Sequence, residues 1–152
     1  RLDDRLLHGQ ILAIWLPYLR PAAVACVPAA GTDETFLRNV YRSVLSPEID
    51  LRVGQMEQLI GAVESGAIDP QRTLLLIERL EDAVRLANRG LLGETLNLGC
   101  LAPSGQTRRL SRQVAINSND ETLLQELTNQ GVRLIVQSVL TERPHVWPKD
   151  YV

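Results

Sequence analysis

What most limits the fold of this chain is a regular alternation of short apolar runs with stretches whose apolar residues recur every three or four positions. Residues 22–27 and 73–77 are continuous apolar runs of the kind shown by strands buried on both faces, and residues 49–53 alternate as a half-buried strand does. Between and after them, three sets fall on helical faces: Phe36, Val40, Tyr41 and Val44; Met56, Leu59, Ile60 and Val63; and Leu80, Ala83, Val84 and Ala87. Gly66, Gly90 and Gly131 stand where helices would stop. Strand and helix alternate in units of about 25 to 30 residues, which predicts an α/β fold. The expected architecture is a three-layer α/β/α open sheet, mostly parallel, with about six parallel strands and room for one added antiparallel edge strand. No repeat, low-complexity segment or linker divides the chain, so residues 1–152 read as one domain.

The remaining elements follow from the same signals. Residues 1–3 read as the tail of a strand whose greater part is expected to precede Arg1, residues 4–9 as a loop, and residues 10–16 as an apolar helix stopped near Pro17, with Trp15 packed. Thr32 is the expected N-cap of the second helix, ahead of Asp33 and Glu34. Residues 95–98 read as a strand, 101–112 as an exposed polar loop or hairpin, and 113–116 as a short extra strand. Residues 118–121 fit a capping box for the helix bearing Leu123, Leu124 and Leu127. The last strand is expected at 132–136, with an irregular tail over 141–152.

Composition narrows the function classes. A net charge of −2 gives no electrostatic footprint for nucleic acid. Cys26 and Cys100 form no metal-ligand pattern, so they read as reduced thiols of a cytoplasmic protein, Cys26 in the core. No apolar run approaches the roughly 20 residues that span a bilayer. Nucleotide-binding glycine patterns are absent, and neither a metal nor a cofactor is expected. The basic residues are fifteen arginines and one lysine. The pair Arg108-Arg109 is either a solvated loop or a dock for an acidic partner. His145, among prolines, reads as structural.

The first ten residues, RLDDRLLHGQ, concentrate the chemistry. An imidazole (His8) just ahead of a helix meets the positive end of the helix dipole, and Arg5, three residues earlier, can add a bidentate clamp on an anion. The alternative is a solvated turn with an incidental histidine. If the sheet is parallel, loops leaving the carboxyl ends of its strands share one edge, and the loop around His8 should face those of 28–32, 77–80 and 99–104.

These residues resemble the phosphorylation-site segment of the IIB subunits of the mannose, fructose and sorbose class of the bacterial phosphoenolpyruvate-dependent sugar phosphotransferase system. Arg1, Asp3, Arg5, His8, Gly9, Gln10 and Ile11 match that family's segment, and Trp15 stands where tryptophan is frequent. Asn97-Leu98-Gly99, residues 113–116 and Gly131-Val132 extend the resemblance. Departures are Val27-Pro28-Ala29-Ala30 in place of acidic residues, Cys100 in place of a second glycine, and Val139-Leu140 in place of a proline.

The resemblance implies a phosphohistidine at His8, loaded from a IIA subunit and discharged to a sugar carried by a membrane IIC/IID permease. Arg5 would stabilise the moving group, with Asp3, Asp4, Gly9 and Gln10 supporting the loop and Gly31, Thr32, Gly99 and Cys100 bordering it. Asp3 or Asp4 either orients the imidazole or Arg5, or is a solvated charge. The protein would work in the cytoplasm, peripherally at the membrane through the permease, as a monomer or homo-oligomer. A regulatory phosphocarrier acting on a protein partner, and a degenerate binding module, are the competing readings.

Overall fold

The computed structural model describes residues 1–102, 105 and 107–151. In chain order the elements are β1 (Leu2–Asp3), a π-helical turn (Ile11–Trp15) running into α1 (Leu16–Leu19), β2 (Ala23–Val27), α2 (Glu34–Val44), β3 (Asp50–Val53), α3 (Met56–Glu64) and β4 (Thr73–Ile77). They continue with α4 (Leu80–Asn88), β5 (Thr95–Cys100), β6 (Arg108–Arg109), β7 (Ala115–Ile116), α5 (Ser118–Asn129), β8 (Arg133–Val136) and β9 (His145–Trp147). The fold is α/β and its strands are mostly parallel, as the alternation predicts.

Two compact units emerge, one of Leu6–Ile77 and one of Arg1–Arg5 with Glu78–Val152. In the first, the strands lie in the order β3-β2-β4, and both pairings are parallel, with Ala23 of β2 opposite Asp50 and Thr73. Val24, Cys26, Val27, Leu76 and Ile77 are buried there, and Met56 and Ile60 of α3 join the core. In the second unit the order is β1-β5-β8-β9. Here β5 pairs in parallel with β1 and β8, while β9 runs antiparallel to β8. Leu124 and Leu127 of α5 are fully buried within it.

Several boundaries differ from the expectation, each for a local reason. The first helix does not stop at Pro17: the Leu16 N–H reaches back five residues to the Ile11 carbonyl, and Pro17 then stands in the first turn of α1, where a missing N–H costs little. That helix ends instead at Arg20, in the left-handed region at φ 49°. Asp33, not Thr32, caps α2, accepting from the Phe36 N–H at 2.9 Å, while the Thr32 N–H turns onto Ala29 O. Strand β5 continues past Leu98 through Gly99 and Cys100. The expected irregular tail contains β9, flanked by Pro144 and Pro148 in the manner of an edge strand, with Trp147 buried opposite Leu134.

Helix α2 shows the predicted period, yet Phe36, Val40 and Val44 are 62%, 41% and 54% exposed. Tyr41 and Leu45 take the buried positions, because a helix resting on the short end strand β3 covers only one of its rows. Within the polar stretch 101–112, Arg108 and Arg109 form a hairpin with Ala115 and Ile116. Pro103, Ser104 and Gln106 of that stretch lie outside the described residues. Among the described residues no helix is long and apolar enough to cross a membrane.

The capping box of α5 forms one residue earlier than expected. Asn117 accepts from the Asp120 N–H and Asp120 accepts from the Asn117 N–H, both at 2.9 Å. Asn117→Ala removes one partner of this exchange and is expected to cost about 1 kcal/mol in urea unfolding. No change in the midpoint would show that the box contributes nothing to stability.

Candidate functional site

The loop leaving β1 is anchored by one buried carboxylate. Asp3, with no exposed surface, accepts on Oδ2 from Arg1 Nη2 at 2.9 Å, Arg1 Nε at 3.2 Å and Arg5 Nη2 at 3.2 Å. Its Oδ1 accepts from Arg5 Nε at 3.0 Å and from the Arg5 backbone N–H at 3.3 Å. The two guanidiniums are not equivalent. The Arg1 side chain is 2% exposed and that of Arg5 39%. Burial therefore pulls the Arg1 pKa below its ordinary value against the opposing pull of Asp3. For Arg5, burial pulls the same way, but the hydrogen bond and charge of Asp3 prevail and the pKa is raised.

Parallel strand order brings the ends of β1, β5 and β8 to one edge of this unit. The Asp4 N–H donates to Cys100 O at 3.2 Å, and Asp4 Oδ2 accepts from the Ala102 N–H at 2.6 Å. Among the described residues the other oxygen, Asp4 Oδ1, is buried without a hydrogen-bond partner. Burial, and then the hydrogen bond to Asp4, push the Cys100 thiol up to about 12. Asp3, Asp4 and Cys100 present ligand atoms within 4.8 Å of one another. As metal ligands they fit poorly, because Asp3 is committed to two guanidiniums and Cys100 holds its proton.

Within the other unit, His8 directly precedes the first helix and its carbonyl accepts the Leu12 N–H at 3.0 Å. Its ring is half-buried, and Nδ1 accepts from the Gln10 backbone N–H at 3.3 Å. A neutral imidazole accepting at Nδ1 carries its proton on Nε2, so the ring's lone pair lies on Nδ1. Gly9 is exposed, and a Cβ built on it would meet nothing within 4 Å. Neither a close contact nor a left-handed backbone requires glycine at this position. Ile11 and Trp15, in the wide turn that follows, are buried.

The other sequence-predicted positions divide. Gly31, at φ +88°, and Thr32 lie on an exposed turn after β2. Gly99 and Cys100 belong to strand β5, not to a loop. Gly99 is buried, and a Cβ there would collide with the Arg1 guanidinium. Arg108 is held within its own unit, donating to Tyr151 O, lying 5.6 Å over the Trp147 ring and pairing with Glu121 at 3.5 Å. Arg109 donates to Arg112 O at 3.2 Å. His145 stands 3.9 Å from Asp150.

The sequence named Asn97 only within the family resemblance and did not foresee the acceptors that seat Arg1: Asn97 Oδ1, and two carbonyls, Gln137 O at 3.1 Å and Ser138 O at 3.1 Å. Asn97 carried a signal, as the one amide in the apolar run 96–98. Main-chain carbonyls carry none.

The family of PTS system sorbose subfamily IIB components matches residues 1–149. The N-acetylgalactosamine-specific phosphotransferase enzyme IIB component 2 of Escherichia coli (strain K12) is 25% identical over 142 residues, covering 93% of this chain and 90% of the relative. The sorbose-specific EIIB component of Klebsiella pneumoniae is 22% identical over 142 residues, covering 93% and 87%. In fold, the chain is similar to the solved IIBSor domain of the sorbose permease from Klebsiella pneumoniae, with a TM-score of 0.83 at 21% identity over 99% of this chain and 93% of that one. With its whole length but the last three residues matched, the chain belongs to the sorbose-subfamily IIB components of the PTS, phosphotransfer domains of sugar uptake.

Proposed function

We propose that His8 is the phosphoryl acceptor and Nδ1 the atom that takes the group. The observation that carries this is the hydrogen bond from the Gln10 N–H to Nδ1, which places the lone pair on that nitrogen. In the step, Nδ1 attacks phosphorus while the N–P bond of the donor phosphohistidine breaks, and the electrons of that bond return to the donor imidazole. The Gln10 N–H is then free to donate to a phosphoryl oxygen. Discharge forms an O–P bond to a sugar hydroxyl as the Nδ1–P bond breaks and its electron pair returns to Nδ1, the hydroxyl proton passing to solvent. In-line transfer asks mainly for positioning and charge stabilisation, which Arg5, three residues from His8 in the chain, supplies.

Family membership favours a IIA phosphohistidine as donor and a IIC/IID permease with its sugar as the receiving side, at the cytoplasmic face of the membrane. The test is to incubate the protein with phosphoenolpyruvate, the general phosphotransferase components and a cognate IIA. One acid-labile phosphoryl group is expected, on His8, with a 31P resonance of an Nδ1-substituted imidazole. Its absence, or its location on another residue, sinks the proposal; a resonance of the Nε2 isomer removes the assignment of the atom.

Arg5→Ala is expected to slow uptake from phospho-IIA about 100-fold, the usual effect of losing one aimed donor. The fold should lose only about 1 kcal/mol, since Arg1 still holds Asp3. Wild-type transfer rates would remove Arg5 from the chemistry.

A further inference from the structure

Phosphoryl transfer at His8 engages Arg5 and leaves without a task Arg1, whose guanidinium is far more buried. A guanidinium taken out of water needs strong compensation, and this one has it on every side. Nε and Nη2 donate to Asp3 Oδ2, Nη1 to Asn97 Oδ1 and Gln137 O, and Nη2 also to Ser138 O. The room for it is made by Gly99, because a side chain at that position would occupy the same space. For stability alone, well-packed apolar groups would serve at least as well as a buried charged network. A planar fork that meets the end of β1, the middle of β5 and the residues just past β8, while touching only one oxygen of a carboxylate, does something else. It fixes the rotation of Asp3 and leaves that carboxylate's remaining acceptor directions turned toward Arg5, which takes both oxygens through Nε at 3.0 Å and Nη2 at 3.2 Å.

We propose that Arg1 is a positioning residue for phosphoryl transfer: seated in the notch left by Gly99, it locks the Asp3 carboxylate and, through it, the direction of the Arg5 guanidinium. This rests on the role proposed for Arg5. Lysine cannot substitute, since a single ammonium group cannot meet these separated acceptors at once. Gly99→Ala acts by another route, leaving all three charged residues in the chain while pushing the Arg1 fork out of its seat.

The experiment measures single-turnover uptake from phospho-IIA for Arg1→Lys, Gly99→Ala, Arg5→Ala and the two double variants carrying Arg5→Ala, each checked for folding by its melting curve. Arg1→Lys and Gly99→Ala are each expected to lower the limiting rate about tenfold while the phospho-IIA concentration giving half-maximal rate stays the same. In the Arg5→Ala background neither should slow transfer further. In 15N NMR, the Arg5 Nε–H signal, protected from exchange in wild type, should lose that protection in both single variants. Wild-type rates in both single variants beside a slow Arg5→Ala overturn the inference alone, as does full additivity in the double variants or an unchanged Arg5 Nε–H in folded Gly99→Ala. A wild-type rate in Arg5→Ala overturns the reading of Arg5 and this inference with it.

Discussion

His8→Ala is expected to abolish phosphoryl uptake while leaving the fold intact. The variant lacks the only imidazole of the first loop, and the chain's other histidine, His145, lies on an edge strand beside Asp150. The loss should be total within detection, because a covalent carrier without its nucleophile has no slower alternative route. Stability should change by no more than about 0.5 kcal/mol, as expected for a partly exposed side chain outside the core. The decisive measurement is labelling from phosphoenolpyruvate through IIA, with wild type and variant matched by melting temperature. Equal labelling of the two would falsify the proposal that His8 carries the group.

The second large effect is on stability. Asp3→Ala removes the anion shared by two guanidiniums. Arg5 can turn to water, but Arg1, 2% exposed and enclosed by Asn97, Gln137 and Ser138, cannot. A buried charge deprived of its counter-ion costs about 3–5 kcal/mol, a large part of the ~5–15 kcal/mol that holds a typical domain. Chemical denaturation should show a midpoint shifted accordingly. A loss below about 1 kcal/mol would mean that Arg1 finds a new partner or lets water in. Restoring an acid with Asp3→Glu should recover less than half of the loss, since the longer side chain cannot hold both forks in the same geometry.

Much of this was readable from residues alone, and the reasons are local. Continuous apolar runs such as Thr73–Ile77 mark strands because burial on both faces leaves no room for alternation. Glycines in the left-handed region, Gly66, Gly90 and Gly131, stop helices where they stand because few other residues adopt their φ values of +68° to +86°. The errors share a cause of a different kind. Thr32 and Asp33 are both good caps, as are Asn117 and Ser118, and the choice between neighbours depends on which side chain the turn aims at the open amides. The solvent-facing row Phe36, Val40 and Val44 has the spacing of a core face; nothing in its pattern tells that α2 would rest on an end strand. For the first loop, residue types gave the chemistry of Arg5 and His8, but the seat of Arg1 is built from carbonyls and from the missing side chain of Gly99, which no periodicity reports.

One consequence follows from the state of the two cysteines. Cys26 is sealed in the core, and burial and the hydrogen bond to Asp4 push the Cys100 thiol up to about 12, so neither offers appreciable thiolate at neutral pH. A cysteine introduced on an exposed position such as Thr35 or Ser43 would be the one fast-reacting sulfur in the folded chain. Fluorophores or spin labels could then be attached by maleimide chemistry to follow docking of a donor in real time, with both native thiols left in place.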